Sequence, residues 1–143
     1  MEKTAADILA TKERRLLTID ADASVLDAAR RMIDENVGAM LVSVRDRITG
    51  IVTERDYLRR VVLEEKDRET TVEEIMTSPL IVVSPGTTVD QCMSLMTAQR
   101  IRHLPVVEGG EVSGMISIGD VVKFTSTEQT VQLQYLTEYI NAR

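Results

Sequence analysis

The chain contains the same pattern twice, at a spacing of 64 residues. When residues 19–58 are laid over residues 83–122 without a gap, the order of apolar and polar positions coincides along the overlap. Five positions are identical: Val25/Val89, Met32/Met96, Val42/Val106, Gly50/Gly114 and Asp56/Asp120. Duplicated units of this size bury their apolar faces against one another. The sequence therefore predicts two homologous repeats that together form one module.

Each repeat is predicted to fold in the order strand, helix, strand, strand, helix. The helices are predicted to start at Ser24, Thr53, Thr88 and Ser117, because each of these hydroxyl residues is followed three positions later by an acid or an amide, the capping-box pattern. Short runs rich in Val, Ile and Leu predict the strands, and Gly109 with Gly110 predicts a hairpin turn. The predicted strands are residues 16–19, 39–44 and 48–52 in the first repeat and 80–83, 104–107 and 112–116 in the second.

A short helix with its own capping box is predicted ahead of each repeat, at residues 4–9 and 71–76. These two segments match at a spacing of 67 and not 64, so the first repeat is longer by three residues within residues 11–15. The sequence places the first repeat at residues 1–68, the second at residues 69–127 and a C-terminal helix at residues 128–143. That last helix has an apolar face, which either covers the module's own core or packs against a second chain.

Composition excludes several classes of function. Cys92, on the apolar face of its helix, is the only cysteine and His103 the only histidine, so neither a disulfide nor a metal site built on them is expected. The formal net charge of −6 disfavours a nucleic-acid partner, which requires a clustered basic surface. Without a long apolar run or a secretory signal pattern, we expect a cytoplasmic location and no membrane partner. Common enzyme motifs are absent from the sequence, so we expect neither enzymatic activity nor a catalytic cofactor.

Two pairs of residues recur where a strand is followed by a helix: Thr53 with Asp56, and Ser117 with Asp120. A carboxylate in this position is suited to accept hydrogen bonds from the two hydroxyls of a ribose, while the start of the helix favours a phosphate. The same pairs are also ordinary capping boxes, each contributing ~1 kcal/mol to helix stability. On the residues alone, both interpretations remain open.

Basic residues precede the second strand of one repeat only. Arg100, Arg102 and His103 stand immediately before or at the strand predicted at residues 104–107, where they are suited to pair with phosphate oxygens. The corresponding residues 36–39 of the first repeat carry no charge. The two repeats are therefore expected to differ in phosphate affinity, although a solvated surface also explains isolated arginines.

A family resemblance is carried by three motifs: G-I-V-T-E-R-D-Y at residues 50–57, R-I-R-H-L-P-V-V at residues 100–107 and G-M-I-S-I-G-D-V at residues 114–121. With the repeat, they make the chain from about residue 7 to residue 124 resemble the cystathionine-β-synthase (CBS) domain pair, or Bateman module. The resemblance implies an α/β (α+β) fold of tandem β-α-β-β-α repeats with pseudo-twofold symmetry, sheets packed together and helices outside. It also implies clefts for adenosyl ligands (AMP, ADP, ATP, NAD(H) or S-adenosylmethionine), with AMP as the first candidate.

The resemblance also assigns individual residues to the ligand. In one cleft the ribose is assigned to Asp120 with Ser117 and Gly119 beside it, the phosphate to Arg102 and His103, and the adenine to Leu16, Leu17, Val37, Gly38 and Met115. In the pseudosymmetric cleft the assigned residues are Asp56, Thr53 and Arg55, with Ile51, Ile81, Val82 and Ile101 near the base. Because Gly38 and Ala39 replace the basic pair in the first repeat, the Asp120 cleft is expected to be the stronger site.

The sequence is thus interpreted as a regulatory module that senses energy state or a metabolite by binding an adenosyl compound. With no attached effector domain in the sequence, its output is expected to pass through a client protein or through self-association. A homodimer is expected through apolar residues of the second helices, namely Val61, Val62, Leu63, Val121 and Val122. The alternative is a purely structural dimerisation module that binds no ligand, in which the two carboxylates are only helix caps.

Overall fold

The helices and strands follow the predicted repeat closely in the computed structural model, which describes residues 2–13 and 15–128. In chain order the elements are α1 (Ala5–Ala10), β1 (Thr18–Asp20), α2 (Val25–Glu35), β2 (Ala39–Val44), β3 (Arg47–Thr53), α3 (Glu54–Asp56), α4 (Val72–Ile75), α5 (Val89–Gln99), β4 (His103–Glu108), β5 (Glu111–Ser117) and α6 (Ile118–Glu128). A π-helical segment, Tyr57–Val62, continues α3. The mixed helix-and-strand fold class is confirmed.

The chain divides into two compact units that do not coincide with the two repeats. We call Leu16–Leu80 the central unit, and the described residues before 16 together with residues 81–128 the terminal unit. Helix α1, which precedes the first repeat, belongs to the terminal unit, and α4, which precedes the second, belongs to the central unit. The repeat boundaries at residues 68 and 127 remain a prediction.

In the central unit, a three-stranded sheet has the order β1-β2-β3, with β1 parallel and β3 antiparallel to β2. Helix α2 begins where predicted, because Ser24 Oγ accepts a hydrogen bond from the Asp27 N–H, and it ends at Asn36 in the left-handed conformation. The core is aliphatic, as the composition requires. Its buried members are Ile19, Ala21, Val25, Ala28, Met32, Met40, Val42, Val52, Val72 and Ile75.

In the terminal unit, β4 and β5 form an antiparallel hairpin whose turn residues Gly109 and Gly110 both have positive φ. The strand predicted at residues 80–83 is reduced to one parallel bridge between Val83 and Val106, so that prediction is wrong for most of its length. Cys92 is confirmed as a core residue, and burial raises the pKa of its thiol. The other buried core residues are Ala5, Ile8, Leu9, Val83, Met96, Leu104, Val106, Ile116 and Val121.

The predicted capping boxes at Thr4, Thr53, Thr71 and Thr88 can be compared with the structure. Thr4, Thr53 and Thr88 form complete capping boxes, as predicted. Thr71 makes no side-chain cap to the single helical turn that follows it. The capping box predicted at Thr71 is therefore wrong.

The surface predicted for dimerisation is only partly available. Val121 and Val122 are buried in the terminal unit, so they do not form a free surface on it, whereas Val62 and Leu63 are exposed. The predicted tail helix lies outside the described residues, apart from Glu128 at the end of α6. Among residues 2–13 and 15–128, none of the helices is both long and apolar enough to cross a membrane.

Candidate functional site

Asp120 lies in the first turn of α6, directly after strand β5. Its Oδ2 accepts a hydrogen bond from the Ser117 N–H at 2.9 Å, and its own N–H donates to Ser117 Oγ at 3.0 Å. These reciprocal bonds fix the carboxylate at the start of the helix. The side chain nevertheless remains 24% exposed, so the group is positioned but not sealed.

Lys12 is the second partner of this carboxylate. Its Nζ lies 2.6 Å from Asp120 Oδ2 and 2.9 Å from the backbone oxygen of Met115. Oδ1 of Asp120 makes no hydrogen bond within the described part of the chain. The site therefore holds a carboxylate with one oxygen that accepts two hydrogen bonds and one that accepts none from the described residues, beside an ammonium group.

His103 opens strand β4 and pairs in register with Ser117 at the end of β5. Burial lowers the pKa of His103 to about 4; Asp120 opposes this shift, while Lys12 and Arg102 add to it. The imidazole is consequently neutral near neutral pH and can exchange hydrogen bonds without supplying a positive charge. The cations close enough to affect it are Lys12 and the exposed Arg102.

Asp56, the counterpart of Asp120 in the central unit, has a different environment. Its Oδ2 accepts from the Thr53 N–H at 2.9 Å and from Thr53 Oγ1 at 3.1 Å, and its Oδ1 accepts from Thr77 Oγ1 at 3.1 Å. The residue is only 7% exposed. Both oxygens of this carboxylate are therefore engaged by neutral groups of its own unit.

The surroundings of Gly38 also differ from those of its counterpart Arg102. The Glu54 carboxylate lies so close to Gly38 that a side chain at this position would collide with it, and the Glu54 N–H donates to the Gly38 oxygen at 3.0 Å. In the terminal unit, Ile118 replaces Glu54, and its N–H donates to the Arg102 oxygen at 2.8 Å. The central unit thus has the Glu54 carboxylate beside Gly38 where the terminal unit has the apolar Ile118, so an anion is disfavoured next to Gly38.

The structure brings together part of each predicted set. One group is joined by hydrogen bonds, by strand register or by effects on the pKa of His103, and it contains Asp120, Ser117, His103 and Arg102. Met115 is joined to this group through Lys12, which bonds both to its backbone oxygen and to Asp120. Thr53, Asp56 and Ile51 form another, because Thr77 bonds to the backbone of Ile51 as well as to Asp56. The remaining predicted residues are spread over the two units. Four are exposed, namely Gly119, Arg55, Ile81 and Val82. Ile101 packs against the core of the terminal unit, Val37 and Leu17 pack against the core of the central unit, and Leu16 is half-buried. The grouping of these residues around an adenine remains a prediction.

Three residues at these positions were not singled out from the sequence: Lys12, Thr77 and Glu54. For Lys12 a signal was present, because the three additional residues of the first repeat fall in a basic segment, residues 11–15. Thr77 and Glu54 carry no such signal, since a polar residue after a helix or at a helix start is common. Within the described ranges, no group of three or more His, Cys, Asp and Glu side chains is arranged to hold a metal ion.

Comparison with protein-family models gives a match to the CBS domain at residues 5–63 and again at residues 72–126. The chain belongs to the CBS-domain family. The two matched segments correspond to the two predicted repeats and cover most of the chain. The predicted family membership is confirmed.

Similar proteins include both sequence relatives and solved structures. The mitochondrial CBS domain-containing protein CBSX3 of Arabidopsis thaliana is 40% identical over 147 residues, which cover 96% of this chain and 71% of that protein. A CBS-domain protein of Burkholderia ambifaria MC40-6, described as a signal-transduction protein, is 47% identical with a TM-score of 0.86, covering 89% of this chain and 96% of that one. The CBS domain pair of protein MJ0100, solved with 5′-methylthioadenosine and S-adenosyl-L-methionine, shares the fold at 22% identity and a TM-score of 0.78, covering 90% of this chain and 100% of that one. The likeness to the Burkholderia protein supports a regulatory module, the likeness to MJ0100 shows the fold alone, and a cytoplasmic location remains a prediction.

Proposed function

We propose that this CBS-domain protein is a regulatory module that binds an adenosyl compound at the terminal unit, with Asp120 on the ribose. The observation that carries the proposal is the state of the Asp120 carboxylate, which is held in place by Ser117 yet keeps Oδ1 without a hydrogen bond inside the described residues. The vicinal hydroxyls of a ribose are two donors at the spacing of one carboxylate. A fixed and partly exposed carboxylate is therefore suited to bind them.

The charges around Asp120 support a ligand that also carries phosphate. Lys12 and Arg102 are cations, and arginine in particular binds phosphate through paired hydrogen bonds. His103, being neutral, contributes a hydrogen bond at most. AMP is accordingly our first candidate, followed by ADP, ATP and NAD(H).

The ligand class is further supported by the fold. Protein MJ0100, whose CBS domain pair has this fold, was solved with two adenosyl compounds bound. At 22% identity that similarity does not transfer a particular ligand, so S-adenosylmethionine stays within the candidate set.

The central unit is proposed to be the weaker site. Asp56 is nearly buried and has hydrogen-bond donors on both oxygens, and Glu54 repels an anion at the position of Gly38. Asp56 Oδ2 already accepts from two donors of Thr53, so a ribose hydroxyl that bonds to Oδ2 would have to displace Thr53, and the burial of Asp56 restricts access to Oδ1. We propose that Asp56, Thr53 and Arg55 bind the ligand more weakly than the residues around Asp120 do.

Regulation requires that the ligand bind two states of the protein with different affinity. We propose that the output is a change in self-association, with a homodimer as the expected assembly, or in contact with a client protein. Under this proposal the protein has no catalytic role of its own, and its ligand acts as a signal.

The test is a thermal unfolding series with AMP, ATP, NADH and S-adenosylmethionine on the wild type and on two matched variants. A ligand at ~100 times its dissociation constant should stabilise the wild type by about 2.7 kcal/mol. Asp120→Asn, which keeps the size and the cap but loses the charge, should abolish the shift. Asp56→Asn makes the same change in the other repeat and should retain it. If none of the four compounds shifts the wild-type transition, the proposal fails.

The alternative is a structural association module, and two observations favour it. Asp56 acts as a helix cap with both oxygens engaged, and exposed apolar side chains follow it on the π-helical segment and just beyond: Leu58, Val62 and Leu63. Exposed apolar residues that cluster are typical of interaction surfaces. Under this alternative, Leu63→Glu dissociates the assembly in analytical ultracentrifugation, and no adenosyl compound alters the wild-type sedimentation or melting temperature.

A further inference from the structure

Lys12 occupies the place on Asp120 that a second ribose hydroxyl would need. Each carboxylate oxygen has two lone pairs. On Asp120, Oδ2 already accepts from the Ser117 N–H at 2.9 Å and from Lys12 Nζ at 2.6 Å, whereas Oδ1 has no donor within residues 2–13 and 15–128. One ribose hydroxyl can therefore bond to Oδ1 directly, but a hydroxyl that bonds to Oδ2 has to take the place of Lys12.

The displaced ammonium group would remain at the site. Lys12 also donates to the backbone oxygen of Met115 at 2.9 Å, and its side chain is only 33% exposed, so it is held by more than the carboxylate. An ammonium has three donors and a full positive charge, and the neutral Met115 oxygen alone leaves that charge without a counterion in a partly buried position. A phosphate on the ligand supplies the acceptor and the charge, whereas an uncharged nucleoside supplies neither.

We infer that Lys12 is a specificity-determining residue that makes the Asp120 site select phosphorylated adenosyl ligands over uncharged ones. This inference rests on the proposed function, because it assigns the charge of the ligand that the same carboxylate binds. Without ligand, Lys12 forms an ion pair with Asp120. Once a ribose has displaced Lys12 from Asp120, Lys12 pairs with the phosphate of the ligand.

The central unit has no lysine equivalent to Lys12 on its carboxylate. At the 67-residue spacing of the two leading helices, Lys12 corresponds to Pro79, and the carboxylate partner there is the uncharged Thr77 hydroxyl. The cation is thus specific to one of two duplicated sites. The phosphate preference that we infer should accordingly belong to the Asp120 site alone.

The experiment is isothermal titration of AMP and of adenosine, which differ by one phosphate, into the wild type and Lys12→Met. The wild type should bind AMP more tightly than adenosine. In Lys12→Met, the affinity for AMP should fall by about tenfold or more, the effect expected of one lost charge-assisted hydrogen bond. The affinity for adenosine should stay the same or rise, because the ribose no longer has to displace Lys12 from Asp120.

Two further variants control this experiment. Lys66→Met removes the same charge from the central unit, where Lys66 pairs with the Glu64 carboxylate at 3.7 Å, and should leave the ratio of the two affinities unchanged. Lys12→Gln, which retains a donor for the Met115 oxygen, should show the same loss of preference and replaces Lys12→Met if that variant does not fold.

If Lys12→Met or Lys12→Gln weakens AMP and adenosine equally, Lys12 is only a structural ion pair and the inference is overturned while the proposed function stands. If the wild type binds neither compound, the proposed function and the inference fall together.

Discussion

The Thr77 hydroxyl donates a hydrogen bond to Asp56 Oδ1 at 3.1 Å, across 21 residues of sequence. Together with the bonds from Thr53, it supplies donors to both oxygens of a nearly buried carboxylate. Asp120, at the identical position of the other repeat, has a lysine on one oxygen and no partner within the described chain on the other. Two carboxylates that are equivalent in sequence thus differ in the partners that other segments bring to them.

Thr77→Val is expected to destabilise the protein by about 1 kcal/mol, because it removes a donor from a charged acceptor that has little access to water. Chemical denaturation gives the free energy of unfolding. Thr77→Ser keeps the hydroxyl and should lie close to the wild type. A free energy of unfolding for Thr77→Val equal to that of the wild type would show that the hydroxyl contributes nothing.

Local structure was largely predictable from the sequence. Strand β2 has the predicted bounds, and α2 and α5 begin at the predicted caps Ser24 and Thr88. These features depend on the periodicity of apolar residues and on hydrogen bonds between residues three apart, both of which can be read from a short window. The strand predicted ahead of the second repeat is wrong because its pairing is not local. It is reduced to a single bridge at Val83, which depends on the distant partner Val106.

The site was predictable only in part. The Ser117 to Asp120 pair is local and was identified, whereas the bond between Lys12 and Asp120 joins residues 108 positions apart. No periodicity or cap pattern indicates such a contact. The loss of charge on His103 was also not predictable, because it follows from burial between neighbours on other segments. The repeat predicted the bonded pair of Ser117 and Asp120, and it missed the lysine beside this pair.

Gly50 and Gly114, identical in the two repeats, are expected to tolerate alanine differently. A Cβ at Gly50 would lie 2.8 Å from the backbone oxygen of Thr77, whereas one at Gly114 would lie 2.9 Å from Cδ2 of Leu9. A leucine side chain can move and a backbone carbonyl in a bridge cannot, so Gly50→Ala should cost about 2–3 kcal/mol and Gly114→Ala about 1 kcal/mol. Denaturation midpoints of the two variants test this order, which is contradicted if Gly114→Ala is the more destabilising.

Tyr57→Phe is expected to leave stability unchanged or to raise it by up to about 1 kcal/mol, since it removes a buried polar atom that has no bond to lose. The Tyr57 hydroxyl has no hydrogen-bond partner in the described part of the chain, although its ring packs against the central core. Burial raises the pKa of Tyr57 to about 12, with the backbone of Ala29 nearby opposing the shift and Asp27 adding to it. Tyr57→Leu, which removes the ring as well, is the control and should be destabilising. A clear loss of stability in Tyr57→Phe would mean that the hydroxyl has a partner.

His103 should make the protein less stable as the pH falls from about pH 7 to about pH 5. Its pKa is about 4 in the folded chain and near 6.5 when unfolded, so in this interval the unfolded chain binds a proton that the folded chain does not. The contribution is therefore complete above the unfolded pKa and lost below it, and it amounts to about 1–2 kcal/mol over these two pH units. The groups that face the imidazole are Asp120, Lys12 and Arg102, and the two cations oppose its protonation. His103→Gln should flatten the difference in unfolding free energy between the two pH values, and an equally steep dependence in this variant would assign the effect to other groups.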